Sequence, residues 1–125
     1  MRQPQKTGER RRFRRFRVSG GPFSVLCCDS GEIIGELTDI SSGGMAFLSE
    51  PDELFMPEYS RIDVLQISDG VLLNGFPVRH VSRISGYFAI NRQMMKMARN
   101  SLGFRPLAPD QKKELGMFIR NHAGI

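Results

Sequence analysis

Between residues 10 and 17 the chain sets six arginines, Arg10, Arg11, Arg12, Arg14, Arg15 and Arg17, around Phe13 and Phe16. Guanidinium forks bind phosphate in pairs of hydrogen bonds, stay charged at any physiological pH and stack on bases or aromatic rings. Lysine is absent from this run, and the run leads directly into Val18 and the first apolar segment. An arm joined to a folded body is better placed to close over a ligand than a free tail is. Charge alone leaves a nucleic-acid arm or an anionic membrane surface open as the target. A second group, Asp39-Ile40-Ser41-Ser42-Gly43-Gly44, lies between two strand-like segments. It combines an acidic acceptor, a hydroxyl and two glycines, a set that serves an ordinary turn or exposes backbone groups to an anion.

Other chemistry has little to stand on. His80 and His122 have no local partner at metal-ligand or catalytic spacing. No Walker loop or nucleophile elbow occurs, and the glycine pairs at 20–21 and 43–44 lack the strand–loop–helix setting of a dinucleotide fingerprint. Cys27 and Cys28 are adjacent, so in a strand they point to opposite faces and read as two reduced thiols. No enzymatic activity, cofactor or metal is expected.

The arginines dominate the charge balance. Residues 1–17 hold eight basic side chains against Glu9, a local charge of +7, whereas the remaining 108 residues carry ten basic and twelve acidic ones. Such a concentrated field acts on polyanions and says little about fold. A length of 125 residues suits one domain with one core. No apolar run approaches a membrane span or a signal peptide, so a cytoplasmic protein without membrane insertion is expected.

The elements that must hold these residues read as mainly β. Residues 1–9 form a polar, disordered lead-in to a single domain over 10–125, with 10–18 as its arm. Strands are expected over 23–28 and 32–38, joined by the Asp29-Ser30-Gly31 turn, with a second turn over 39–44 and a strand over 45–48. Residues 50–58 read as an acidic loop. A second hairpin turns at Ser68-Asp69-Gly70 between strands 61–67 and 71–84, where Pro77 calls for a bulge or an edge. Ser85-Gly86 reads as a turn into strand 87–91. Residues 93–100 read as a short helix on Met94, Met97 and Ala98 or as a Met-rich loop, and the last strand spans 102–107. The helix over 109–123 starts on Pro109 and Asp110, repeats Leu115, Phe118, Ile119 and His122 on one face, and ends at Gly124. Ala108 offers no capping oxygen to that helix.

Taken together, Arg10-Arg11-Arg12-Phe13-Arg14-Arg15 fits the pattern RRxxxR, and Asp39 to Gly44 fits DxSxxG. Their order, with a hairpin between them, resembles a PilZ domain, the bacterial receptor module for cyclic di-GMP, over roughly residues 9 to 122. The Leu102-Gly103-Phe104 strand and the Pro109-Asp110 helix resemble that family's ending. The resemblance implies a six-stranded antiparallel β-barrel with a C-terminal α-helix and a flexible basic N-terminal arm. It also implies cyclic di-GMP as ligand, with Arg10, Arg11 and Arg15 on phosphate and guanine, and Asp39, Ser41 and Gly44 holding a guanine. Three consecutive arginines leave a register on Arg11 and Arg12 open. Arm closure would signal to a downstream protein partner. The rivals are a nucleic-acid-binding module using the same arginines, which has no need of Asp39 or Ser41, and a PilZ-like adaptor that binds no ligand.

Overall fold

A computed structural model describes residues 14–52 and 56–123. Among these residues seven strands and one helix follow in order: β1 (Phe16–Arg17), β2 (Ser24–Cys27), β3 (Glu32–Ile40), β4 (Gly44–Ser49), β5 (Tyr59–Gln66), β6 (Gly70–Ile90), β7 (Gln93–Phe104) and α1 (Pro109–His122). Short apolar segments punctuated by turn residues produce this pattern, since neither half of such a hairpin buries its apolar face alone. All pairings are antiparallel. The sheet order is β1-β3-β2-β5-β6-β7-β4, and an added β3–β4 pairing joins the two ends. Six strands therefore form a closed ring, with the short β1 appended to β3. Closure removes the free edges that an open sheet would expose.

The interior is filled by alternate residues of the ring, among them Phe23, Val25, Leu37, Phe47, Ile62, Val64, Leu73, Phe76 and Val78. One mouth is covered by α1, which buries Leu115 and Phe118 there. The Phe23 ring meets Phe118 edge-on at 5.3 Å and His122 at 5.1 Å. The repeat of Leu115, Phe118 and His122 thus faces the ring, as its spacing predicts. At the helix start, Gln111 Oε1 accepts a hydrogen bond from the Ala108 amide at 3.1 Å, so the third helical residue supplies the polar contact that alanine lacks. The helix ends at His122 with Ala123 as cap; Gly124 lies outside the described residues. Among the described residues no helix is long and apolar enough to cross a membrane.

Pro77 sits inside β6 opposite Arg61, just past the last β6–β7 pair, Val78↔Phe104. Its carbonyl accepts from the Arg105 amide at 2.9 Å. A strand residue's N–H and C=O point to the same side, so the missing N–H falls where β7 has already ended.

Three expectations are corrected. Asp39 belongs to β3, paired with Arg17 on one side and Ala46 on the other, which leaves only residues 41–43 to turn. Ser85-Gly86 is no turn: β6 runs on to Ile90, with Ser85 opposite Ala98 and Gly86 opposite Met97. Residues 93–100 are neither helix nor loop but the first part of β7, and the last strand ends at Phe104. The chain reverses at Asn91 and Arg92, both at positive φ (51° and 67°), the backbone of a tight two-residue hairpin. Arginine is a poor marker for that conformation, so the turn was hidden. The inward positions of β7 are Ala98, Asn100 and Leu102, and the polar Asn100 breaks the apolar alternation. Its amide donates to Ser49 Oγ at 2.9 Å and its carbonyl accepts from Arg83 at 3.2 Å, which makes its burial tolerable.

Cys27 is buried and Cys28 exposed, both as free thiols on opposite faces of the strand end. Desolvation of the sulfur, then the hydrogen bond and charge of Asp63, push the Cys28 thiol up from 9.0 to about 11. Thiolate is the alkylated form. Alkylation of Cys28 by iodoacetamide is therefore expected to be slow at pH 8 despite exposure, with a rate still climbing above pH 10. A plateau by pH 9.5 would contradict this. Truncating Phe23, which ties the ring to α1, is expected to lower unfolding free energy by about 3–5 kcal/mol in urea denaturation of Phe23→Ala.

Candidate functional site

The arm joins the body through a clamp. Phe16 pairs with Ile40 and Arg17 with Asp39. The Val18 amide donates to Thr38 O at 3.2 Å, and the Ser19 amide donates to His122 O at 2.6 Å. Val18 also bridges to Ala123. Residues 16–19 of the arm are thus held between β3 and the end of α1. Phe16 packs against the core, and the Arg14 guanidinium lies over its ring, 5.2 Å from the centroid. Arg15 stands exposed just before this clamp, and its direction is set by it.

Ser41 builds the next part of the site. Its hydroxyl accepts from the amides of Gly43 and Gly44, both at 3.1 Å, and its own amide donates to Gly44 O at 2.8 Å. The side chain is buried. Its work is to hold the loop between β3 and β4 in one shape. Gly44 follows, where a Cβ would stand 2.1 Å from Leu102 O. Glycine is needed here because β4 and β7 approach so closely, whatever else the residue does. It pairs with Gly103, and these two facing glycines leave the outer surface of the sheet hollow.

Arg15, Asp39, Ser41, Gly43 and Gly44 line this hollow together with Met45, Val81, Ser101, Leu102 and Gly103, around a recess of about 150 Å³. Four residues that the sequence reading singled out, separated by up to 29 positions, therefore share one small concavity: Arg15, Asp39, Ser41 and Gly44. Arg10 and Arg11 lie outside the described residues. The volume is below the ~300–1,000 Å³ of a pocket that encloses a whole drug-sized ligand, so the recess suits one end of a larger molecule.

The electrostatics hold a residue that sequence reasoning missed. Arg99 Nη2 donates to Asp39 Oδ2 in an ion pair that is partly shielded from solvent. Arg99 is on β7 and Asp39 on β3, so the bond crosses β4, whose small Ala46 is the residue paired with Asp39. Among the described residues no donor reaches Asp39 Oδ1. Arg99 was invisible as a site residue because its segment did not read as a strand. Once Ala98, Asn100 and Leu102 are known to point inward, Arg99 and Ser101 must point outward. Val81, beside Gly103, lies at the irregularity between His80 and Ser82 in the β6–β7 pairing. A bulge of this kind re-aims a side chain and leaves no trace in local sequence.

By sequence, no family model and no curated protein matches the chain. By structure, it is similar to the PilZ domain with c-di-GMP of YcgR from Escherichia coli, at a TM-score of 0.68 and 24% identity over 89% of both chains. It is also similar to YcgR in complex with c-di-GMP from Escherichia coli, at 0.63 and 23% identity, covering 89% of this chain and 45% of that one. For the MrkH–c-di-GMP complex of K. pneumonia the values are 0.64 and 18%, covering 89% and 51%. The chain spans about half the length of those two longer chains and matches the isolated domain almost end to end. Its closed ring of six antiparallel strands, with α1 across one mouth, is the PilZ-domain fold.

Proposed function

We propose that the chain is a receptor module for cyclic di-GMP and not an enzyme. The observation that carries this reading is the meeting of Arg15 with Asp39, Ser41 and Gly44 around one recess. Three neighbours of the same fold are described as holding c-di-GMP, which supports the same ligand class.

The chemistry of the recess suits a guanine edge with a phosphate beside it. Asp39 Oδ1 accepts from the N1–H and N2–H side of the base. Arg15 has the donors for a phosphate oxygen or for the O6/N7 edge. Arg99 holds Asp39 in orientation through Oδ2. Ser41 acts by fixing the loop amides, and Gly44 by keeping the floor open. Arg10 and Arg11 complete the RRxxxR pattern and supply the remaining phosphate contacts from the arm. A recess for one base leaves the rest of a dinucleotide outside, so closure of residues 10–15 over it is the step that remakes the surface. The signal passes from that surface to a protein partner.

Isothermal calorimetry with cyclic di-GMP at micromolar protein and physiological salt is expected to show saturable heat. Asp39→Ala removes a charge-assisted acceptor worth about 1.5–3 kcal/mol, an expected loss of roughly 10–100-fold in affinity. Arg15→Ala is expected to weaken binding by a similar factor. No heat with the wild type, or an unchanged affinity in Asp39→Ala, sinks the receptor reading. A nucleic-acid module would instead lose affinity steeply with salt and be indifferent to Asp39.

A further inference from the structure

β6 and β7 run on together well past the ring. The last β5–β6 pair is Tyr59↔Arg79, and the last β4–β7 pair is Ser49↔Ala98. Among the described residues no third strand pairs with β6 over 81–90 or with β7 over 93–97. Among those residues this stretch is a two-stranded ribbon with both backbone edges unpaired. Unpaired edges are a template for another strand, and folded proteins usually shorten, cover or charge them.

The side chains of the ribbon are unusual for a solvated hairpin. Ile84 is 63% exposed, Tyr87 67% and Met94 65%, with Met95 also exposed. Phe88 faces Met95 across one side of the ribbon, and Ala89 faces Met94 across the other. Methionine adapts to irregular apolar partners and is common on binding surfaces. The charge is equally one-sided. Residues 70–106 contain six Lys and Arg and no Asp or Glu, whereas residues 18–69 contain ten acidic residues and Arg61 as the sole basic one.

We infer that the ribbon is a docking site for a protein partner, which adds an extended segment of alternating acidic and apolar residues to its free edge. Main-chain pairing would supply affinity, while Arg92, Lys96 and the exposed Tyr87 and Met94 select the side chains. Three alternatives fit the observations less well. Only Arg92 and Lys96 are basic between 84 and 97, too few phosphate contacts for a ribbon built to grip nucleic acid. Insertion into lipid would strand the open-edge N–H and C=O groups in hydrocarbon. A symmetric ribbon-to-ribbon dimer would bring like charges together. The inference does not depend on cyclic di-GMP.

The test is fluorescence anisotropy with the full chain and a fluorescein-labelled ten-residue peptide alternating Glu with Val. Binding is expected for this peptide, and at least tenfold weaker binding for the same peptide with Lys in place of Glu. Two variants on exposed positions, Tyr87→Ser/Met94→Ser and Arg92→Glu/Lys96→Glu, are each expected to weaken the Glu–Val peptide at least tenfold. Thermal unfolding followed by circular dichroism should show both variants folded. Amide NMR shifts should fall on residues 81–97. No binding of the Glu–Val peptide, or binding indifferent to both variants, overturns the inference. So does tighter binding of duplex DNA or of phosphatidylserine vesicles in the same assay, or a dimer in sedimentation that the variants abolish. The assay contains no cyclic di-GMP, so its failure and that of the receptor reading are seen separately.

Discussion

The backbone of β4 lies so close to β7 that a Cβ at position 44 would stand 2.1 Å from the Leu102 carbonyl. β4 also carries the pairing to β3 that closes the six-stranded ring. The same glycine therefore seals the core and, with Gly103 opposite, leaves a hollow on the outer surface. A larger residue at 44 would have to push β4 outward, and with it the loop that Ser41 holds. Fold and recess depend on one contact, which is why the DxSxxG group carries more structural than chemical weight in its last position.

Around that contact the site is assembled from distant parts of the chain with little freedom left. Phe16, Val18 and Ser19 tie the arm to β3 and α1, so Arg15 emerges beside the recess. Asp39 is held from across β4 by Arg99. Ser41 spends its hydroxyl on the loop amides. Each part is locked by a neighbour through a hydrogen bond or a strand pairing, the arrangement by which small sites keep their geometry. The long β6–β7 hairpin begins at this same place: Arg99, which touches Asp39, is paired with Ile84 at the root of the free ribbon. The recess and the ribbon share a boundary.

Much of this was legible in residue order. The hairpin turns at Asp29–Gly31 and Ser68–Gly70, the helix from Pro109 and the inward face of that helix follow from turn chemistry and periodicity, which act over a few residues. The charge of the arginine run and the composition of Asp39–Gly44 are equally local. These features named four residues of the recess without any knowledge of contacts. The segment 85–100 was misread because its signals conflict locally: Ser85-Gly86 resembles a turn, Arg92 does not, and Asn100 interrupts the alternation at a core position. Pairing along the whole hairpin overrides those preferences, since twelve cross-strand pairs act together.

The sequence by itself determined the element types outside residues 85–100, the basic charge of the arm and the donor and acceptor chemistry available to a ligand. Tertiary structure alone decided that β3 and β4 meet to close the ring, that Arg99 belongs to Asp39, and that Ser41 and Gly44 serve the shape of the site before they serve a ligand. It also decided that, among the described residues, β6 and β7 outrun the strands beside them as a ribbon with exposed apolar side chains. The reason is physical range. Propensity, capping and turn geometry are set by near neighbours, whereas ring closure, a cross-strand ion pair and a close backbone approach are contacts between residues 39, 44, 99 and 102, which only folding brings together.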